Sequence, residues 1–211
     1  MSYREPARTA ARRTRSTILA VLVVVSAGLV GVLIHQSLAP SSSLVAPSSS
    51  AAPPGQPHRA RGEADGVVSG DVTVFDDEIP AVANLDPALL GALRQAASDA
   101  ADDGVEFIVT SGWRSPEYQE QLLREAISKY GSKEEAAKWV ATPDTSLHVS
   151  GDAVDIGHSD ARAWLSSHGA DYGLCQIYRN EPWHYELRPD AIDDGCPPLY
   201  ADPTHDPRMR Q

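Results

Sequence analysis

The 211-residue sequence contains three lysines, Lys129, Lys133 and Lys138, and none has a serine three residues before it. That absence excludes a Ser-x-x-Lys nucleophile. There are two cysteines, Cys175 and Cys196, too far apart in sequence for the paired motif of a thiolate zinc site. Net positive charge is also missing. The formal charge is −11, and this total already includes Arg4, Arg8, Arg12, Arg13 and Arg15, so the rest of the chain is more acidic still. A surface of that sign argues against nucleic acid as a partner, because phosphate binding depends on Lys and Arg. No internal repeat is present, and the stretch from Ser16 to Ile34 has no charged residue at all.

That uncharged stretch would make a helix about 28 Å long, close to the roughly 30 Å hydrocarbon thickness of a bilayer. The arginines lie only on its N-terminal side, which predicts a cytoplasmic N-terminus. The expected layout is a cytoplasmic basic segment over 1–15 and a transmembrane signal-anchor helix over 16–35, with the remainder on the extracytoplasmic side of the cell membrane. A cleaved signal peptide is the competing reading. Its nearest small-x-small site, Ser37-Leu38-Ala39, precedes Pro40, whose tertiary amide makes an awkward scissile bond. Residues 36–70, with runs such as "APSSSLVAPSSSAAPPGQP", are expected to form a Ser/Ala/Pro-rich disordered linker, because they bury too little apolar surface to offset ordering entropy. Residues 71–203 are expected to form one compact domain, with a tail over 204–211. In an exported domain the even pair Cys175 and Cys196 predicts a disulfide.

Within the domain, Asp86 and Pro87 read as the N-cap and first residue of a helix that carries Leu89, Leu90, Leu93 and Ala97 on one face and ends at Gly104. Val105 to Thr110 reads as a strand. Ser115-Pro116 starts a second helix with Tyr118, Leu122, Leu123, Ala126 and Ile127 on its apolar side, stopped by Gly131. Ser132 and Glu135 make a capping box for a short helix through Trp139. "DAVDIG" is a short strand. Ser159 is expected to cap a helix with Ala163, Trp164 and Leu165 that Gly169 ends, and "LCQIY" and "WHYEL" are strands around the turn "RNEP". Tyr118, Trp139 and Trp164 read as core. Helices early and strands late predict an α+β fold: a small antiparallel sheet with helices packed on it.

The chemistry concentrates in "SLHVSGDAVDIG" and "NEPWHYEL". Along the first strand Ala153 and Asp155 point one way, Val154 and Ile156 the other. An aspartate on a core strand is costly unless it is paired or bound to a metal. His148 lies across the Gly151 turn from it, and His184 follows Glu181 by three residues. Taken singly, each piece is equally a turn with an exposed histidine, or a satisfied core histidine beside a surface glutamate. Taken together they offer nitrogen, oxygen and nitrogen donors with one tetrahedral position open, the pattern of a catalytic zinc site. Glu181 remains as a general base.

The arrangement resembles the VanY-type zinc D-alanyl-D-alanine carboxypeptidases, grouped with the D-Ala-D-Ala dipeptidases. Ser146, His148, Gly151, Ala153 and Asp155 match the family pattern S-x-H-x-x-G-x-A-x-D at every fixed position. Glu181, Trp183 and His184 match E-x-W-H, and "SGWRS" supplies Arg114, with Gln119 at the usual distance. The similarity covers roughly Pro87 to Leu187. It implies a hedgehog/DD-peptidase-like α+β fold with a central antiparallel sheet, and one zinc ion held by His148, Asp155 and His184. It implies Glu181 as catalytic base, Arg114 as oxyanion stabiliser or substrate anchor, and Ser146 and Gln119 near the terminal carboxylate of the substrate. At Glu186 the chain departs from several relatives, which carry a basic or apolar residue there, and the resemblance attaches that position to substrate contact. The implied substrate is a peptidoglycan stem peptide. The resemblance implies that a bound zinc would supply an activated water, with Glu181 taking the proton and passing it to the leaving amine and Arg114 helping to stabilise the oxyanion. Rival readings are an L,D-carboxypeptidase on tetrapeptide stems, a free-dipeptide hydrolase, and a cell-wall-binding module that keeps the fold without turnover. A serine D,D-peptidase is excluded by its missing Ser-x-x-Lys motif.

Overall fold

Residues 60–209 are described by the structure, a computed structural model. The basic segment 1–15, the transmembrane helix expected over 16–35 and the linker as far as residue 59 lie outside the described residues. Among the described residues no helix is long and apolar enough to cross a membrane.

The helical half of the domain follows from its caps. A short helix α1 (Pro80–Ala83) leads into α2 (Pro87–Asp102), where Asp86 Oδ1 accepts from the amides of Ala88 and Leu89 at 2.9 and 3.1 Å. Such a cap contributes about 1 kcal/mol. Leu89, Leu93, Ala96, Ala97 and Ala100 of α2 are buried, each leucine adding about 2 kcal/mol by leaving water. After strand β1 (Val109–Ser111), α3 (Pro116–Tyr130) starts on Ser115, whose Oγ accepts from the Tyr118 amide, and stops at left-handed Gly131. Its apolar side is only half-buried at Leu122, Leu123 and Ile127, since that face lines clefts rather than core. Helix α4 (Lys133–Ala136) is capped by Ser132 as expected but ends three residues before Trp139. The Trp139 amide bonds back three residues to Ala136, tightening the chain into a turn. Trp139 is therefore 39% exposed, stacked on Tyr130 at 5.8 Å, and not a core residue.

Helix α5 (Leu147–Ser150) precedes β2 (Ala153–Ile156), α6 (Ser159–His168), β3 (Leu174–Gln176), β4 (His184–Leu187) and α7 (Ala191–Asp194). The four strands run β1-β2-β4-β3, every pair antiparallel, which is the small sheet with helices that the sequence predicts. Strand β1 is shorter and later than expected. The Val109 amide bonds to the Val72 carbonyl at 2.7 Å and Ile108 bridges Thr73, so the segment before β1 pairs with an earlier stretch. Helix α6 also departs from expectation. Ser159 is its first residue, not its cap; His158, at φ 59°, holds the cap position. The α-helix does end at Gly169, its C-cap, as expected, but with φ −58° rather than a left-handed turn, and the chain runs on through a 3-10 turn to left-handed Gly173. Gly169 is required for another reason, because a Cβ there would lie 2.5 Å from the Leu174 carbonyl oxygen.

Alternation divides the sheet into two faces. Val154, Ile156, Leu174 and Tyr185 join Leu89, Leu93, Phe107 and Leu165 in the core, while Asp155, His184 and Glu186 point from the other face. The domain also reaches past both expected boundaries. Glu63–Asp65 form a 3-10 turn, and the Ser115 amide donates to the Asp65 carbonyl at 2.9 Å, so the chain is folded from Gly62 rather than from residue 71. At the other end Pro203–His205 and Pro207–Met209 form 3-10 turns around a fully buried Asp206, so the described part of the expected tail belongs to the domain. Cys175 and Cys196 are disulfide-bonded, as the sequence predicts. In the chain-entropy view, closing a loop of that length contributes about 3 kcal/mol.

Candidate metal centre and active-site cleft

Strand pairing sets two of the three expected ligands opposite each other: Asp155 of β2 faces His184, the first residue of β4. The third comes from α5. Gly151 ends that helix at φ +85°, and a Cβ there would press to 2.5 Å from the Asn84 carbonyl oxygen. Only glycine allows the chain to turn so tightly against the segment before α2. The turn holds His148 over the sheet, where its Nδ1 meets the Gly112 carbonyl at 2.9 Å. That bond makes Nδ1 the protonated nitrogen and leaves a lone pair on Nε2.

His148 Nε2 and His184 Nδ1 each lie 3.4 Å from Asp155 Oδ1, and the three donor atoms are within 4.8 Å of one another. A tetrahedral ion with bonds of about 2.0–2.1 Å has ligand–ligand edges of about 3.3–3.4 Å. All three residues are buried. Asp155 Oδ1 and His184 Nδ1 are buried without a hydrogen-bond partner, an arrangement that is costly unless a cation completes it. Burial and the neighbouring Arg114 push His148 down, which keeps it neutral as a ligand must be. Burial pushes His184 down too, but Asp155 and Glu186 outweigh it and raise it to about 9. The pocket thus favours positive charge at the point where the donors converge, and the residues fit a divalent metal.

Arg114 closes one side. Its Nη2 donates to Asp155 Oδ2 at 3.0 Å, its Nε to Ser111 at 2.8 Å and its Nη1 to Gln119 Oε1 at 3.1 Å. Glu181 closes another. The His184 amide bonds to the Glu181 carbonyl at 3.1 Å, and this turn brings Glu181 Oε2 to 3.9 Å from His184 Nδ1. Glu181 Oε1 is buried with no partner. Burial raises the Glu181 carboxyl to about 7, Asp155 adding to it against the pull of His184. A carboxyl in that range can exchange a proton at neutral pH. The site opens into a cleft of about 320 Å³ walled by Leu122, Tyr130, Trp139, Tyr178 and Met209, with Arg114, Ser146 and Glu181 at its polar end. That volume is at the small end for ligand sites and suits the terminus of a peptide.

Residues 83–190, just over half of the chain, match the VanY family, described as D-alanyl-D-alanine carboxypeptidase. The chain belongs to the VanY family. A D-alanyl-D-alanine carboxypeptidase of Enterococcus faecalis (strain ATCC 700802 / V583) is 32% identical over 139 residues, covering 53% of this chain and 52% of the relative. The chain thus spans about half the length of the curated relative it matches. Among solved structures, the vancomycin resistance D,D-pentapeptidase VanY from a VanB-type resistance cassette, in complex with Zn(II), is 27% identical with a TM-score of 0.47, over 57% of this chain and 79% of that one. VanYB in complex with D-alanine-D-alanine is 29% identical with a TM-score of 0.48, over 53% of this chain and 74% of that one.

In this VanY domain the structure brings together every site residue the sequence singles out, with two changes of position. Gln119 lines the cleft, but Nε2 donates to the Ala141 carbonyl at 2.8 Å and Oε1 receives Arg114, so it braces the arginine. Glu186 is not at the substrate side: it sits behind His184, with Oε1 3.3 Å from His184 Nε2, and pairs with Arg188 and Arg208. The reason is the pleat, which turns Glu186 to the same face as His184 while Tyr185 enters the core. Sequence reasoning missed Tyr178, whose ring lies 5.1 Å from that of His184. Two-residue spacing on "HYE" was the available signal for Glu186. Nothing local signalled Arg208.

Proposed function

We propose that this domain is a zinc-dependent carboxypeptidase that removes the C-terminal D-alanine from peptidoglycan stem peptides. The observation that carries the reading is a buried His148–Asp155–His184 donor cluster facing an unpartnered Glu181 at the end of a peptide-sized cleft, in a VanY-family chain. A zinc ion held by those three residues supplies Lewis acidity and a water nucleophile at neutral pH. The chain's own residues do the rest. Glu181 Oε1 takes up a proton and delivers it to the leaving amine. Arg114 has three N–H groups engaged and keeps the remainder for a substrate oxygen. The fixed partners of Arg114 hold it still, so little reorganisation is needed as charge develops. Ser146 is the N-cap residue of α5 yet its side chain caps no amide, which leaves its hydroxyl for the substrate carboxylate. The apolar walls exclude water around the scissile bond.

Glu181 also argues against a binding module with a purely structural metal, which has no use for a buried unpartnered base. Incubation with pentapeptide and tetrapeptide stems, followed by mass spectrometry, tests the reading. The expected product is the tetrapeptide plus free D-alanine. Cleavage of the tetrapeptide alone would assign L,D specificity, and no release from metal-loaded protein would leave only the binding module. The uncharged run 16–34 and its flanking arginines support an extracytoplasmic domain on a membrane anchor. Protease added to intact spheroplasts is then expected to release the domain, and protection from it would place the domain inside.

A further inference from the structure

The last stretch of the chain lies beyond the residues matched to the family, yet it reaches the metal centre from behind. It is tied down by the Cys175–Cys196 disulfide and by Tyr200, whose amide donates to the Ile177 carbonyl at 3.0 Å while its own carbonyl receives the Arg179 amide at 2.9 Å. Cys175 is itself the cross-strand neighbour of Glu186. The chain then turns through Pro203–His205 and buries Asp206 completely.

From Asp206 and Arg208 two separate lines of contact converge on His184. Arg208 Nη1 donates to Glu186 Oε2 at 2.7 Å and Nη2 to Oε1 at 3.3 Å, and Oε1 is the oxygen facing His184 Nε2. Arg188 also reaches Glu186, but only Oε2, so the grip on Oε1 belongs to Arg208. On the other side, Asp206 Oδ2 accepts from the Tyr178 hydroxyl at 3.0 Å, and the Tyr178 ring leans over His184 at 39°. Asp206 and Arg208 hold each other as well, with Arg208 Nε 3.0 Å from both carboxylate oxygens.

We infer that residues 196–209 form a strap that positions His184 for metal binding, Arg208 acting through Glu186 and Asp206 through Tyr178. This rests on the reading of His184 as a metal ligand. A ligating histidine needs its other ring nitrogen bonded to a fixed acceptor, which sets the tautomer and the ring rotation. Glu186 is 2% exposed, and a carboxylate there stays put only while cations hold it. Arg208 supplies a planar fork that fixes both oxygens at once, which Lys cannot reproduce. Arg208 and Asp206 touch neither substrate nor metal; they are positioning residues.

The test is zinc competition against a chromophoric chelator, on the full chain, for the wild type, Arg208→Met, Glu186→Gln and the double variant. Loss of an outer partner typically weakens metal binding about 10–100-fold, and Arg208→Met is expected at the lower end, about tenfold. In the Glu186→Gln background the same change is expected to cost nothing further, since the partner it acts through is already altered. The absorption spectrum of the Co(II)-loaded protein should shift in Arg208→Met, as His184 rotates. Wild-type affinity in folded Arg208→Met, or losses from the two sites that simply multiply, would overturn the strap. If Arg208→Met does not fold, Arg208→Lys replaces it; weaker zinc binding supports the fork and wild-type affinity overturns it. A wild-type chain that takes up no zinc overturns this inference and the proposed function together, whereas zinc uptake with an indifferent Arg208 overturns the strap alone.

Discussion

Glu181→Gln is expected to keep about one zinc ion per chain and to lose D-alanine release by about 10²–10⁴-fold, the range for removal of a general base. Zinc stays because His148, Asp155 and His184 are untouched. Turnover falls because the amide cannot accept the proton that Glu181 Oε1 takes up. The pH behaviour gives a second reading. Burial raises the Glu181 carboxyl from its ordinary 4.5 to about 7, and a bound cation draws it back down. The rising limb of kcat/KM in zinc-loaded enzyme therefore lies below pH 7 and is absent from the residual activity of the variant. Stability moves the opposite way. A carboxyl raised on folding costs nothing below pH 4.5, costs progressively more as pH rises to 7, and costs its full amount above. A rise of that size corresponds to roughly 3 kcal/mol. Metal-free Glu181→Gln should thus melt higher than metal-free wild type at pH 8, with the two converging at pH 4. A variant with full turnover means the base lies elsewhere, and one without zinc means Glu181 is a ligand.

His184→Ala is expected to lose zinc and activity together, because it removes a donor atom rather than a proton carrier. The loss of affinity should exceed the roughly 100-fold that marks the upper end for an outer partner. It also leaves Glu186 without the ring it faces at 3.3 Å, and leaves Asp155 with one histidine beside it. Asp155→Asn should fall between, retaining part of the zinc through a neutral and weaker oxygen while losing the ion pair with Arg114. Chelation of the wild type should reproduce the inactive state of His184→Ala, and added zinc should restore only the wild type. Zinc content and D-alanine release, measured on the same preparations, separate ligand from base. Retention of a full zinc complement by His184→Ala would break the ligand assignment.

The same contrast between local and distant information runs through the fold. Asp86-Pro87, Ser115-Pro116 and Ser132 were legible as helix starts, because a cap bonds to amides two or three residues away. Helix and strand ends were less legible. Trp139 left the helix because its amide bonds back to Ala136, and β1 began late because Val72 and Thr73 claimed the residues before it. These outcomes depend on partners that no short window contains.

From the sequence, residue types at short spacing within "SLHVSGDAVDIG" and "NEPWHYEL", read with the resemblance to the VanY family, singled out the candidate donor set and base, and the even pair of cysteines predicted the disulfide. Alternation along β2 and β4 announced two faces, but only antiparallel pairing of Asp155 with His184 decided that their acidic and imidazole side chains converge. Only tertiary contacts bring Arg114 to Asp155 across 41 residues, and Arg208 to Glu186 across 22. Only they turn an expected tail into the back wall of the site. The physical reason is that a hydrogen bond or ion pair is fixed by where two backbones lie in space, and sequence separation carries no record of that distance until the sheet has closed.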